Sequence, residues 1–154
     1  MADLTIAAEP FGSDDARRLI ALLDAGLSEL YPPEQRFGHN LRPEHLDDGR
    51  GAFLLAREGE RAIGCGAVRL IDPATAEVKR MFVETGHRGM GVGWAILQSL
   101  EAAASQLGAR RLVLETGVHQ IAATALYRRA GFTPIDCWGA YASSPTSVCL
   151  EKRL

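Results

Sequence analysis

Three glycines alternate with other residues directly after an arginine in the segment RGMGVGW, residues 88–94. A strand-like segment precedes these residues, and an apolar, helix-like segment follows them. Glycine permits close approach and left-handed backbone conformations, and the first turn of a helix presents unpaired N–H groups at the positive end of its dipole. The combination predicts a cradle for an anion such as a pyrophosphate. The alternative that the pattern leaves open is a tight turn beside an incidental arginine.

Better-known glycine motifs do not fit this segment. A phosphate-binding P-loop requires GxxxxGK[ST], and the chain has no Gly-Lys pair. A dinucleotide-binding GxGxxG motif requires a third glycine at the position of Trp94. The GxSxG nucleophile elbow is also absent from the sequence.

Glu115 is a second candidate for chemistry, because it lies in the apolar segment RRLVLET, residues 110–116, which is typical of a buried strand. A buried carboxylate needs a partner or a raised pKa, and such groups often mark active sites. The alternative is a structural hydrogen bond to a neighbouring strand or loop. The histidines show no metal-ligand spacing, so no metal site is expected.

The elements that position these residues follow an α/β order that indicates one mixed sheet. The predicted strands cover residues 4–8, 51–58, 61–71, 76–83, 110–116, 132–138 and 147–154. The predicted helices cover residues 13–30, the segment from the glycines to about 107, and residues 120–130. A loop with room for a short helix after Pro43 joins the first helix to the second strand.

Composition restricts the class of protein. The 154 residues suit a single domain, 1–154, and the net charge of −2 predicts no nucleic-acid partner. No apolar run is long enough to span a membrane and the start of the chain does not resemble a signal peptide, so we expect a cytoplasmic protein without a membrane partner. Cys65, Cys137 and Cys149 are widely spaced, and we expect small, mostly buried, unbonded side chains in a reducing compartment.

A second motif, ALYRRAGF at residues 125–132, lies about one strand beyond the glycine segment. The two motifs together resemble those of the GNAT superfamily, the acyl-CoA-dependent N-acyltransferases, and in particular its small bacterial single-domain members. The first GNAT signature, [Q/R]xxGx[G/A], matches Arg88, Gly91 and Gly93. The second, close to NxxAxxLYxxxGF, matches Ala123, Leu126, Tyr127, Gly131 and Phe132. Gln120 stands where asparagine is usual, and glutamine can make the same kind of hydrogen bond.

The resemblance, which covers residues 51–154, implies both a fold and a donor. The implied fold is a GNAT-like mixed, mostly antiparallel central sheet of about seven strands flanked by helices, splayed at strands 4 and 5. The implied donor is acetyl-CoA, with its pyrophosphate on the glycine segment and its pantetheine arm along the fourth strand. The cofactor-binding residues implied are Met81, Phe82, Val83, Arg88, Gly89, Met90, Gly91, Val92, Gly93, Trp94, Gln120, Ala123, Tyr127 and Arg128. For Arg128 the sequence leaves open a solvated helix face.

The resemblance also implies catalytic roles for a tyrosine and a glutamate. Tyr127 matches the family's tyrosine, which donates a proton or a hydrogen bond to the departing thiolate; the alternative is a core side chain. Glu77 begins the fourth strand, where histone-type members carry a catalytic glutamate, and is therefore a candidate general base beside Glu115.

The fourth strand offers a simpler role for Glu77 as well. Strand alternation predicts that Glu77, Lys79, Met81 and Val83 share one face of the sheet. On that pattern Glu77 is either the base or a surface glutamate paired with Lys79 or Arg80.

The acceptor site is expected at the loop after the first helix and at the loop before the last strand. The candidate substrate-binding residues there are Tyr31, Glu34, Phe37 and Tyr141. Glu34 suits a cationic amine, whereas Arg36 or Arg42 suits a carboxylate, and the sequence does not choose between them.

The resemblance predicts transfer of an acetyl group from acetyl-CoA to the primary amine of a small molecule, directly within a ternary complex. Two alternatives stay open: acetylation of a protein lysine or N-terminus, and a non-catalytic acyl-CoA-binding sensor. A homodimer is the expected assembly.

Overall fold

A computed structural model describes residues 3–35 and 41–154 and shows an open seven-stranded sheet flanked by helices. The strands, in the spatial order β1-β2-β3-β4-β5-β7-β6, are β1 (Leu4–Ala8), β2 (Gly51–Glu58), β3 (Arg61–Asp72), β4 (Thr75–Val83), β5 (Arg111–Gly117), β6 (Thr133–Ile135) and β7 (Ser147–Arg153). The helices are α1 (Asp14–Leu30), α2 (Val92–Gln106) and α3 (Ile121–Arg129). This architecture confirms the fold predicted from the sequence.

Each face of the sheet is covered by an apolar cluster. One cluster joins β3 and β5 to α2 and α3 through residues such as Ile96, Leu100 and Leu114. The other joins β2 and β3 to α1 through Leu19, Phe53 and Leu55. The helices therefore lie on both faces, α1 on one and α2 with α3 on the other, and no helix within the described residues is long and apolar enough to cross a membrane.

β4 and β5 form the parallel pair of the sheet, and their pairing is short. The ladder joins residues 75–78 of β4 to residues 111–114 of β5 and then stops, although both strands continue. Beyond Val78 the edge of β4 that faces β5 has no strand partner within the described chain. The predicted splay of the fourth and fifth strands is therefore present, and it opens a gap in the middle of the sheet.

A bulge interrupts β4 just where the gap opens. Cys65 of β3 is opposite Phe82, but Ala67 is opposite Lys79, so Gly66 faces two residues of β4. Arg80, in the bulge, has a positive φ of 58°, a conformation that is costly for a residue with a side chain.

The bulge corrects the predicted alternation along β4. Glu77 and Lys79 lie on the α1 face, opposite Arg69 and Ala67 of β3. Met81 and Val83 instead pack against the cluster on the α2 face. The prediction that the four residues share one face was wrong, because an extra residue in a strand reverses the alternation after it.

The prediction for the cysteines was wrong in part. Cys65 is buried and unbonded, as expected, but Cys137 and Cys149 form a disulfide bond. The antiparallel pairing of β6 with β7 sets Ile135 opposite Cys149, so that Cys137, which follows β6, lies with its Cα 5.2 Å from that of Cys149. Spacing along the chain does not show this proximity.

We expect reduction of the Cys137–Cys149 bond to lower the free energy of unfolding by about 3 kcal/mol, because the bond closes a short loop and restricts the unfolded chain. The measurement is urea unfolding with and without a reductant. Cys137→Ser is the control: the reductant should change its free energy of unfolding very little. Equal unfolding curves for the oxidised and reduced wild-type protein would contradict the expectation.

Candidate active site

The glycine segment presents a row of free backbone N–H groups. No N–H of residues 89–94 donates a hydrogen bond within the described part of the chain. The next one, that of Ala95, donates to the carbonyl of Gly91 at 3.0 Å and begins the regular bonding of α2. The row thus combines unpaired donors with the positive end of a 15-residue helix, which is the arrangement that binds phosphate groups.

Two physical reasons require glycine in this segment. Gly89 and Gly91 have φ values of 78° and 83°, and a Cβ at either position would meet nothing within 4 Å. Glycine is therefore required at these two positions by the backbone conformation and not by a lack of space. A Cβ on Gly93 would approach the Leu126 side chain to 3.3 Å, so this glycine lets α2 pack closely on α3.

The side chains around the segment are mostly exposed. Arg88 stacks on the ring of Phe82 at 5.4 Å, and its Nε donates to the carbonyl of Val83 at 2.8 Å. Met90 is 61% exposed, and the Trp94 ring lies beneath the guanidinium of Arg129 at 5.6 Å. Arg88 is thus close to the row of N–H groups while its guanidinium is tied to the end of β4.

Arg128 and Ala123 lie on α3, the helix beside α2. Arg128 is exposed in its last turn, and Ala123 is half-buried against the apolar cluster on this face of the sheet. Val92, the first residue of α2, is buried in the same cluster.

A cavity of about 440 Å³ lies where β4 and β5 part. Its walls come from the end of α1, the residues after it, both strands of the gap, Gln120 just before α3, Tyr127 near the end of α3 and the loop before β7. Candidate residues that line it are Tyr31, Glu77, Met81, Glu115, Gln120, Tyr127 and Tyr141. The structure therefore brings the predicted catalytic residues and part of the predicted substrate site into one enclosure.

Tyr127 lies almost wholly buried between α3 and the gap. Its ring packs edge-on against Phe132 at 5.8 Å, and its hydroxyl makes no hydrogen bond to any residue that the structure describes. Burial and the nearby Glu115 raise the pKa of the phenol, so it is protonated at neutral pH. A protonated hydroxyl without a protein acceptor is available to donate to a ligand.

Glu77, Lys79 and Tyr141 form a buried group on the α1 side of the gap. Tyr141 donates from its hydroxyl to Glu77 Oε2 at 2.9 Å, and Lys79 Nζ donates to the same hydroxyl at 3.1 Å. Lys79 Nζ is also 3.6 Å from Glu77 Oε2. Burial lowers the pKa of Lys79, and burial together with Glu77 raises that of Tyr141. Glu77 is therefore not a surface glutamate, and its carboxylate is already engaged.

Glu115 has fewer partners than Glu77. Ser147 donates to Glu115 Oε2 at 2.6 Å. Burial raises the pKa of Glu115, and that effect exceeds the opposing influence of the Ser147 hydrogen bond. A carboxylate with a raised pKa and spare acceptor capacity is suited to taking a proton.

The remaining predicted residues occupy different places. Tyr31 is buried and accepts a hydrogen bond from the backbone N–H of His119 at 2.9 Å. Gln120 Oε1 accepts from Gly117 N at 3.0 Å and so braces the turn before α3. Glu34 is exposed on a short 3-10 turn and does not line the cavity, although Pro33 and Gln35 do.

Three residues predicted to contact the acceptor are not seen in the cavity. Phe37 and Arg36 lie outside the described residues. Arg42 precedes the short 3-10 helix Pro43–Leu46, is exposed, and does not line the cavity.

Sequence reasoning undervalued Lys79 and Arg80 and did not single out Thr116. All three line the cavity and are buried or nearly so, whereas Lys79 and Arg80 were considered only as surface partners of Glu77. Thr116 Oγ1 has no hydrogen-bond partner among the described residues. The only signal in the sequence was the unusual Lys79–Arg80 pair inside an apolar strand.

Comparisons with known proteins show which family the chain resembles. Residues 18–132 match the sequence model of the acetyltransferase (GNAT) family. A protein from Azospirillum brasilense named IAA acetyltransferase is 39% identical over 155 residues, covering 100% of both chains.

Solved structures show the same fold. A Klebsiella pneumoniae protein assigned to the acyl-CoA N-acyltransferases is 35% identical in sequence and superposes with a TM-score of 0.84. The superposition covers 100% of this chain and 99% of that protein. A GNAT-family acetyltransferase from Elizabethkingia anophelis, solved with acetyl-CoA bound, superposes with a TM-score of 0.70 at 22% identity, over 98% of each chain.

Proposed function

The chain belongs to the GNAT family of acetyltransferases, and on that premise we propose that it transfers an acetyl group from acetyl-CoA directly to the primary amine of a small molecule in a ternary complex. The activity of the family is acyl-CoA-dependent N-acetylation. The observation that carries the proposal is the continuity of the site. Free N–H groups at residues 89–94 lie at the end of β4, and the unpaired edge of β4 leads from them into a cavity with titratable walls.

The donor side of the site fits acetyl-CoA. The N–H groups of residues 89–94 suit a pyrophosphate, and Arg88 lies beside them with its positive charge. The open edge of β4 at Met81–Val83 suits the amide groups of a pantetheine arm, which pair with a strand as another strand would. Bound there, acetyl-CoA supplies an activated acetyl group as a thioester.

The acceptor amine must lose a proton before it can attack, because an ammonium group has no lone pair. Glu115 is the base that we favour, since its pKa is raised and Ser147 is the one side chain that donates a hydrogen bond to it among the described residues. Glu77 accepts from Tyr141 and has Lys79 close by, so its role is to hold these two side chains in place. The lone pair of the neutral amine then forms the new C–N bond.

Tyr127 is suited to the opposite end of the reaction. When the C–S bond breaks, its electron pair goes to sulfur, and the thiolate gains a hydrogen bond or a proton from a nearby donor. The Tyr127 hydroxyl lines the cavity, is protonated, and has no competing acceptor within the described residues. The reaction is balanced in protons, because Glu115 accepts one from the amine and Tyr127 provides one to the thiolate.

The volume of the cavity suits a small acceptor. A cavity of about 440 Å³ with walls from α1, the gap and the loop before β7 falls in the range of small-molecule sites. A protein lysine requires an open groove along which a polypeptide can lie. We therefore propose acetylation of a small amine as the first function to test, before acetylation of a protein and before a non-catalytic sensor.

The proposal is tested by an acceptor screen that measures free thiol released from acetyl-CoA, with longer acyl-CoAs in parallel. Release above the blank with small amines supports it. Release only with peptides would favour a protein substrate. Binding of acetyl-CoA without release from any amine would favour the sensor.

The pH dependence of kcat/KM tests the role of Glu115. The carboxylate is the active form, so activity should fall as pH decreases through its raised pKa, and the acidic limb should lie above the ordinary glutamate range near 4.5. Glu115→Gln should lower kcat by at least about 100-fold and remove that limb. Glu77→Gln is the matched control, for which the limb should remain. The same acidic limb in Glu115→Gln as in the wild type would exclude Glu115 as the base.

A further inference from the structure

Arg80 is placed on the wall of the acceptor cavity by an unusual backbone. In a regular strand its side chain would alternate with that of Lys79 and enter the apolar cluster on the α2 face. The bulge opposite Gly66 and the positive φ of Arg80 turn it to the α1 face, where its NH1 reaches Asp24 on α1. Strained conformations of this kind cluster at functional sites.

The guanidinium of Arg80 has more donors than partners. NH1 donates to Asp24 Oδ1 at 2.8 Å. Nε is buried and has no hydrogen-bond partner among the described residues, and only 6% of the side chain is exposed. Burial without a partner is costly for a charged donor, and a planar guanidinium is best satisfied by a carboxylate. Asp24 is 46% exposed, so it neutralises Arg80 from the solvent side.

The charges of the cavity discriminate between acceptor classes. Glu115 is a carboxylate with spare acceptor capacity, and Arg80 is a guanidinium with spare donors, and both line one cavity of about 440 Å³. A diamine would offer no acceptor to the Arg80 guanidinium, and the cations of this wall, Arg80 and Lys79, already have Asp24 and Glu77 beside them. A neutral arylamine would leave the donors of Arg80 unsatisfied. A molecule that carries both an amine and a carboxylate satisfies both groups.

We propose that Arg80 is the carboxylate-binding residue of the acceptor site and that the acceptor is an amino acid. This inference rests on the proposed acetyl transfer and specifies its substrate class. The amine of the amino acid faces Glu115, and its carboxylate faces the guanidinium of Arg80 from the side opposite Asp24.

The test compares each α-, β- or γ-amino acid with its own carboxamide as acceptor, by thiol release from acetyl-CoA. The amine of an α-amino acid amide has the lower pKa and is the more available nucleophile at neutral pH, so a preference for the acid must come from recognition. We expect kcat/KM for the best acid to exceed that for its amide by about 10- to 100-fold, mainly through KM, as for a lost hydrogen bond to a charged group. Arg80→Gln should reduce this ratio to near one, and Arg80→Lys, which keeps the charge without the fork of donors, should leave an intermediate ratio.

The outcomes separate this inference from the proposed function. Thiol release with amides or simple amines as efficient as with acids contradicts the inference and leaves acetyl transfer standing. An equal ratio of acid to amide in Arg80→Gln and the wild type also contradicts it.

Absence of thiol release with every amine contradicts the proposed function instead. Calorimetry then decides the inference, using the N-acetyl form of an amino acid and that of its amide as probes with free CoA present. Binding of the acid at least about tenfold tighter in the wild-type protein supports the carboxylate site, and equal binding overturns it. Neither the wild-type acceptor comparison nor this binding comparison depends on the folding of any variant.

Discussion

Gly91→Glu should abolish measurable binding of acetyl-CoA, with a loss of affinity of more than about 100-fold. Gly91 is the residue before α2, has a φ of 83°, and offers its N–H in the row that suits a pyrophosphate. A glutamate there brings a negative charge against the phosphates, and juxtaposed like charges cost several kcal/mol. Its side chain also disfavours the left-handed conformation that keeps the row of N–H groups open.

Gly59→Glu is the matched control for this change. Gly59 has a φ of 60° in the turn between β2 and β3, and a Cβ there also meets nothing within 4 Å. The control therefore adds the same charge and a similar backbone penalty away from the cradle. It should bind acetyl-CoA as the wild type does.

The measurement is the shift in melting temperature with increasing acetyl-CoA, supported by calorimetry. The wild type and Gly59→Glu should be stabilised by saturating ligand, and Gly91→Glu should not. Equal stabilisation of Gly91→Glu would mean that residues 89–94 do not hold the donor. Loss of stabilisation in both variants would show that backbone strain, rather than repulsion of the phosphates, is responsible.

Tyr127→Phe should lower kcat by about 100- to 10,000-fold with little change in the affinity for acetyl-CoA. The change removes only the hydroxyl, which makes no hydrogen bond to the described residues and lines the cavity. The ring that packs on Phe132 is retained, so the free energy of unfolding should change little. An effect on kcat without an effect on folding or donor binding would show that the hydroxyl acts in the reaction rather than in packing or in donor binding.

Tyr127→Leu is the control that removes the ring as well as the hydroxyl. Loss of the ring should lower the free energy of unfolding by about 2–4 kcal/mol as well as kcat, because Tyr127 is buried in the apolar cluster. The measurements are steady-state thiol release and urea unfolding of both variants. Unaltered kcat in Tyr127→Phe would reduce Tyr127 to a core residue.

Much of the proposed donor site followed from sequence alone. The alternating glycines, the helix after them and the apolar strand before them are local patterns, and local conformational rules act over a few residues. The structure confirms the predicted splayed sheet and places Tyr127 and Glu115 in the same cavity. The order of strands and helices was also predictable, since hydrophobic periodicity and turn residues mark elements along the chain.

The buried polar group of the cavity and the disulfide bond both depend on contacts between residues that are distant in the sequence. Glu77 is held by Tyr141, which lies 64 residues away in the sequence. Cys137 and Cys149 meet because β6 pairs with β7. Neither contact has a local signature.

The bulge in β4 shows most directly why the sequence could not predict which side chains enter the cavity. From sequence, period-two alternation predicts Arg80 on the face opposite Lys79. The register between β3 and β4 leaves one extra residue in β4 opposite Gly66, and that extra residue decides which side chains enter the cavity. The sequence by itself therefore determined the elements and the glycine segment proposed to hold the donor, whereas the tertiary structure decided which charged side chains enter the cavity, because strand register depends on the packing of the whole sheet.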